Sequence, residues 1–170
     1  LYLFFIFQIQ KAYFYFYNRT MLRYSKQYPN MIITRTFSKA CGMASIRLGY
    51  AIAHPSIIAE VKKLQPIDHV NAFAIKLSEY LLEHPSLIDE YVTKVQEGKQ
   101  YLLDSLSKLG LAVSPSYGNF ILIDVGEKKD RVIKEMEKNH ILIATHIRLP
   151  FANSYIRVTV GPLKQMRQFV

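Results

Sequence analysis

Lys39 stands in the stretch Thr36 to Tyr50, TFSKACGMASIRLGY, among hydroxyls at Thr36, Ser38 and Ser45, a guanidinium at Arg47 and glycines at Gly42 and Gly49. A lysine that is to act as a nucleophile needs surroundings that hold and tune its amine. Hydroxyls and the planar fork of arginine are the donors that phosphate oxygens accept from. The residues therefore describe an anion pocket with one lysine inside it.

The pocket has to be carried by ordered elements on both sides. Met31 to Thr34 and Leu48 to Ala53 read as short strands rich in apolar residues, with small residues crowding the turn between them. This places Lys39 just past a strand end, where α/β proteins bind ligands. Upstream, the aromatic and branched run Leu1 to Tyr17 predicts a buried strand over about Leu3 to Ile9. Gln8, Gln10 and Lys11 interrupt that run well short of the roughly 20 apolar residues a membrane helix needs, and no signal-peptide pattern is present. Between Asn18 and Asn30, Met21, Leu22 and Tyr24 predict a short helix ending before Pro29. Arg35 either faces a phosphate or caps the strand end.

Downstream, Ile57, Ile58, Val61 and Leu64 recur at helical spacing behind Pro55, and the pattern breaks at Gln65 to Asp68. A second helix is expected from about Asn71 to Glu83, with Asn71 as its N-cap or as a substrate contact. A third, long helix is expected from a Ser86 cap to about Leu109, stopped by Gly110. At ~1.5 Å per residue it is long enough to bridge two domains. Strands at Asn119 to Val125, Ile141 to Ala144 and Tyr155 to Val160 then alternate with helices over Asp130 to Asn139 and from Pro162, which suggests a small α+β layer. Arg157 lies in an apolar, β-branched strand, where a buried guanidinium calls for an anionic partner, either a substrate or a structural carboxylate. His146 and Arg148, in the loop before it, read as surface residues.

A chain of 170 residues, half of them hydrophobic, can bury a core and is not of disordered type. Its formal charge of +9 is spread along the sequence without a basic arm, so a solvated surface or a small anionic substrate explains it better than nucleic acid. The single cysteine, Cys41, excludes an internal disulfide and suits a reducing cytoplasm; packing is its expected role. The five histidines form no metal-ligand spacing. A start at Leu1 and an end inside a helical pattern give the expectation of a fragment.

Ser38-Lys39, Gly42 and Arg47-Leu48-Gly49 together resemble the cofactor-lysine signature of class I/II aminotransferases, fold type I pyridoxal-phosphate enzymes, in the histidinol-phosphate aminotransferase-like branch. Gly118-Asn119-Phe120 resembles the family's Asn-Phe at the first small-domain strand, and Tyr155 to Gly161 resembles its late arginine motif. Gln10-Lys11-Ala12-Tyr13 stands where the family carries Asp-Glu-Ala-Tyr. The resemblance implies that Lys39 carries pyridoxal 5'-phosphate, that Thr36, Ser38 and Arg47 hold its phosphate, and that Tyr13 bonds its ring hydroxyl. Gln10 would then sit at the ring nitrogen, and Arg157 and Asn119 would contact the substrate.

For the fold, the resemblance implies an α/β chain: the C-terminal part of an aspartate-aminotransferase-like large domain with a mixed sheet and helices (1–85), an interdomain helix (86–110) and a small α+β C-terminal domain (111–170). The implied partners are an amino acid or phosphorylated amine and a 2-oxo acid, acted on by a cytoplasmic homodimer without metal, membrane or nucleic acid. Gln10 in place of the aspartate leaves open a second reading, a truncated fragment that keeps the fold without the chemistry. Decarboxylation of an amino-acid phosphate on the same scaffold is a third.

Overall fold

The computed structural model describes residues 6–66, 70–144, 147 and 152–170. The expected strand before Ile6, the end of the break at Gln65 to Asp68, and His146 and Arg148 lie outside the described residues. The chain falls into two compact units, Leu1–Asp89 and Glu90–Val170.

The first unit is built on a mixed three-stranded sheet in the order β1-β2-β3 (β1 Phe7–Gln10, β2 Met31–Thr36, β3 Gly49–Ala53). β1 runs parallel to β2, with Gln10 opposite Thr34, and β3 runs antiparallel to β2, with Gly49 opposite Thr36. Alternation puts Met31 and Ile33 in the core, where Phe16, Phe37, Ala40 and Met43 are also buried. The aromatic run does not continue as strand beyond Gln10. After a last ladder bond from Lys11 N–H to the Thr34 carbonyl, the chain turns into one helical turn, α1 (Phe14–Tyr17), which Asn18 ends in the left-handed region at φ 48°. The short helix expected before Pro29 is a 3-10 turn, Leu22–Tyr24.

Two helices follow β3. In α2 (Pro55–Lys63) proline occupies a first-turn position, and the His54 ring accepts the Ser56 N–H. In α3 (Ala72–Glu83) the Asn71 side-chain oxygen accepts the Ala74 N–H at 2.8 Å, so Asn71 is the N-cap. α4 (Pro85–Lys108) spans 24 residues, about 36 Å. It begins at Pro85 and not behind a Ser86 cap, because the fixed φ and missing N–H of proline suit a first helical position. Gly110, at φ +70°, follows its end.

The second unit contains an antiparallel sheet in the order β4-β5-β6 (β4 Val113–Pro115, β5 Phe120–Asp124, β6 Tyr155–Thr159) with α5 (Lys129–Lys138) and α6 (Leu163–Phe169). Ile121, Ile123, Ile156 and Val158 share one sheet face and are buried with Val95, Leu102 and Leu106 of α4. β4 was not expected from sequence. It is three residues long and contains Pro115, which an edge strand tolerates because one side of it has no ladder to complete. Conversely, Ile141 to Ala144 is not a strand. Only Ala144 bridges to β6, and Leu142 is 85% exposed, so the apolar run has no face to bury.

Candidate active site

The parallel pairing of β1 and β2 brings their C-terminal ends to one edge of the sheet, which is where the motif residues lie. Gln10 closes β1 and is exposed, Tyr13 opens α1, and Thr36 closes β2 with Ser38 and Lys39 in the turn that follows. The Lys39 ammonium lies 5.9 Å from the centroid of the Tyr13 ring. Residues separated by 26 positions in sequence therefore meet because two strands end together.

The Thr36 and Ser38 hydroxyls are joined to each other. Thr36 Oγ1 accepts the Ser38 backbone N–H at 3.0 Å and donates to Ser38 Oγ at 2.9 Å. With its lone pair engaged by Thr36, the Ser38 hydroxyl keeps its own hydrogen for an anion. Arg47 sits at φ 56°, a left-handed conformation that costs a non-glycine residue about 1 kcal/mol. It closes the 3-10 turn Ala44–Ile46, and its Nη1 donates back to the Ala44 carbonyl at 2.9 Å. The exposed guanidinium is thus anchored at one nitrogen. Gly49 follows because nothing larger fits there: a Cβ would stand 2.6 Å from the Arg35 carbonyl oxygen.

Cys41 is half-buried, and burial pushes its thiol up to about 11. A nucleophilic role is therefore disfavoured at neutral pH, since the thiolate is the reactive form. Iodoacetamide at pH 7.5 is expected to alkylate Cys41 on the order of 100-fold more slowly in the folded chain than in denaturant, measured by mass spectrometry. Because folding holds the proton, Cys41's share of stability is intact below the unfolded thiol value of about 8.5 and is lost as pH rises through about 11.

The second unit carries the other two motif residues. Arg157 lies opposite Leu122, on the sheet face that also bears Phe120, and its guanidinium stands 4.4 Å from the Phe120 ring centroid. Asn119 is buried, its carbonyl accepts the Val160 N–H at 2.8 Å, and strand alternation sets it on the opposite face, with Ile121. Arg157 pairs with Leu122 while Asn119 lies beside Val160 at the strand entry, so the two are separated along the sheet and are not directed to one side.

A residue that the motif reading passed over, Lys99, holds this strand entry. It is 9% exposed, and its ammonium donates to the Gly118 carbonyl at 3.0 Å and to the Ser116 carbonyl. A signal was present in sequence, because Lys99 falls in the apolar stripe Val95, Leu102, Leu106. Burial lowers the pKa of Lys99, so the unfolded chain binds that proton more readily and stability from this group rises with pH up to the ordinary lysine range. Lys99→Met is expected to cost about 1–3 kcal/mol, because two carbonyls lose their donor. In urea melts, the gap between parent and variant should widen from pH 8 to pH 10.

Among the described residues, no group of three or more His, Cys, Asp or Glu could hold a metal ion. Among them, too, no helix is long and apolar enough to cross a membrane. The family profile described as "Aminotransferase class I and II" matches residues 12–170. The chain belongs to the class I and II aminotransferases. As an aminotransferase-family chain it is 32% identical to histidinol-phosphate aminotransferase 1 of Carboxydothermus hydrogenoformans, over 95% of its own length and 46% of that relative's. The chain thus spans about half the length of the relatives it matches.

Among solved structures, the histidinol-phosphate aminotransferase of Sinorhizobium meliloti in complex with pyridoxal-5'-phosphate superposes with a TM-score of 0.84, at 23% identity. That match covers 96% of this chain and 46% of the other. The L-threonine-O-3-phosphate decarboxylase of Porphyromonas gingivalis is 25% identical, with a TM-score of 0.81, over 96% of this chain and 52% of the other. The aminotransferase fold type expected from the motif is therefore the fold of this chain.

Proposed function

We propose that this chain carries the lysine-bearing part of a pyridoxal-phosphate-dependent aminotransferase that moves an amino group between an amino acid or amino-alcohol phosphate and a 2-oxo acid. The observation that carries the reading is the meeting of Lys39 with the Tyr13 ring beside the Ser38 hydroxyl. Residues 1–85 would be the partial cofactor domain, 86–110 the interdomain helix and 111–170 the small domain. A cytoplasmic homodimer is the expected state of the whole protein.

The residues present fit the cofactor on its phosphate and aldehyde sides. Ser38 and the remaining nitrogens of Arg47 would hold the phosphate, with Thr36, whose hydroxyl hydrogen is given to Ser38, orienting that side chain; Tyr13 would bond the ring hydroxyl, and Lys39 would hold the cofactor covalently. The cofactor supplies an electron sink for the charge left when a substrate Cα loses its proton. Lys39 Nζ would take that proton and return it. Arg157, with its planar fork of donors, would orient a carboxylate or phosphate of the substrate, with Asn119 as a second contact. At the ring nitrogen, Gln10 offers a neutral carboxamide, which can hydrogen-bond there but cannot balance a positive charge.

Gln10 favours the second reading, a truncated fragment that keeps the fold without the chemistry. The likeness to a phosphate-substrate decarboxylase favours the third. One experiment separates them: incubate the chain with pyridoxal 5'-phosphate, fix with borohydride and map the label, then assay amino transfer to 2-oxoglutarate and release of carbon dioxide. A label on Lys39 with amino transfer supports the proposal. Carbon dioxide release supports the decarboxylase, label without turnover supports the inactive reading, and no label on Lys39 overturns both the aminotransferase and the decarboxylase and leaves the inactive fragment.

A further inference from the structure

The geometry points to Arg35 as the residue that positions Tyr13 against Lys39. Arg35 lies inside β2, one residue before Thr36, and its side chain leaves the sheet toward the α1 turn. Its guanidinium carbon stands 3.6 Å from the centroid of the Phe14 ring, a flat stacking distance, and Phe14 is the residue directly after Tyr13. Nη2 donates to Thr20 Oγ1 at 3.0 Å, on the far side of α1, and Nη1 reaches Tyr50 Oη on β3 at 3.4 Å. Tyr50 in turn hydrogen-bonds Tyr15, whose ring meets Phe14 edge to face at 5.2 Å. One guanidinium thus links the first residue of α1 and the segment that follows the helix, at Thr20, to β2 and β3.

The α1 turn needs such a fastener because it has little of its own. It is four residues long, Tyr13 makes no side-chain cap, and the turn is closed by bonds from the Phe16 and Tyr17 N–H groups to the Tyr13 carbonyl at 3.1 Å each. A single turn is not stable alone. If Phe14 rolls, the Tyr13 backbone rolls with it, and the ring leaves Lys39. Arg35 Nε is buried without a hydrogen-bond partner among the described residues, an arrangement that disfavours arginine at this position on hydrogen-bond grounds alone. The stacking plane and the two engaged nitrogens are what the position retains. Tyr15, raised above the ordinary phenol range by burial and by Tyr50, remains a neutral hydroxyl in this cluster through the working pH range.

The importance of Tyr13 for cofactor binding rests on the function proposed above; its placement by Arg35 does not. The test accordingly has two arms, run on the full chain. In the first, without cofactor, nuclear Overhauser contact between the Lys39 side chain and the Tyr13 ring is measured in the parent, in Arg35→Lys and in Arg35→Met, with the cross-strand Ile33–Ile52 contact as a check on the sheet. Lysine keeps the charge and loses the plane, so both variants are expected to lose most of the Lys39–Tyr13 contact while Ile33–Ile52 persists. Persistence of the contact in both variants would overturn the assignment. Should either variant unfold, Thr20→Val and Tyr50→Phe each remove one anchor, and weakening of the contact is expected in both; no change in either would equally overturn it.

In the second arm, pyridoxal 5'-phosphate affinity is read by absorbance in a cycle of Arg35→Lys and Tyr13→Phe. Arg35→Lys is expected to weaken binding about tenfold in the parent and to have little effect when Tyr13 is already phenylalanine. Equal weakening in both backgrounds would mean that Arg35 does not act through Tyr13. If the parent takes up no cofactor, the functional reading fails, and the first arm still decides the role of Arg35.

Discussion

Gly98→Ala is expected to destabilise the second unit by about 3 kcal/mol, lowering its melting temperature by roughly 12–20 °C. A Cβ at Gly98 would lie 2.1 Å from the Gly161 carbonyl oxygen and 3.1 Å from the Pro162 carbonyl carbon. Every atom it meets is backbone, so no side chain can swing aside, and relief would require α4 to move away from the segment that follows β6. That segment is also tied at Val160 to Asn119, and the next residue of α4, Lys99, holds the Ser116 and Gly118 carbonyls. A shift of α4 would therefore loosen both ends of the strand entry together. Gly110→Ala provides the contrast: nothing lies within 4 Å of its Cβ, so only the strain of its positive φ, about 1 kcal/mol, should appear. Calorimetry of the two variants beside the parent measures the difference. Equal losses would mean that the contact at Gly161 is not the cause.

Lys39→Ala is expected to abolish borohydride-fixable labelling by pyridoxal 5'-phosphate while leaving the melting temperature within a few degrees of the parent. The Lys39 amine is the group proposed to bond the aldehyde, and alanine removes it outright. Lys39 is half-buried, and the contact removed is one cation over the Tyr13 ring at 5.9 Å, worth about 0.5–1 kcal/mol at a partly exposed site. Lys39→Arg keeps that charge but supplies no nucleophile at accessible pH, so it should fold like the parent and also fail to label. Residual noncovalent binding in both variants would report on the contacts other than Lys39, among them Ser38, Arg47 and Tyr13. Persistent labelling of either variant at another lysine would remove Lys39 from its proposed role.

Much of the architecture was legible because it follows from local chemistry. The helices over Pro55–Lys63, Ala72–Glu83 and Pro85–Lys108 were announced by a proline at the first position of the first, an asparagine cap on the second and recurrent apolar residues in all, although the third starts at Pro85 and not behind Ser86. β2, β3, β5 and β6 followed from short apolar runs between turn residues. Errors fell where pairing, and not composition, decides. Ile141 to Ala144 has the residues of a strand but only a single bridge, while Val113–Pro115 has poor strand residues and is paired with Ile121 to Ile123. Edge pairing depends on which backbone lies alongside, and that is a property of the folded chain.

The sequence by itself determined the family, through Ser38-Lys39, Gly42 and Arg47-Leu48-Gly49, and it places a neutral glutamine, Gln10, where the resemblance implies a carboxylate. Those are statements about residue types, which no fold can alter. Only the tertiary structure decided which of these residues meet. The parallel register of β1 and β2 brings Tyr13 to Lys39, strand alternation sends Asn119 and Arg157 to opposite faces of their sheet, and a guanidinium at Arg35 ties α1 to two strands. Such contacts depend on register and on side-chain direction, which are fixed when separate segments pack against one another and leave no trace in local spacing.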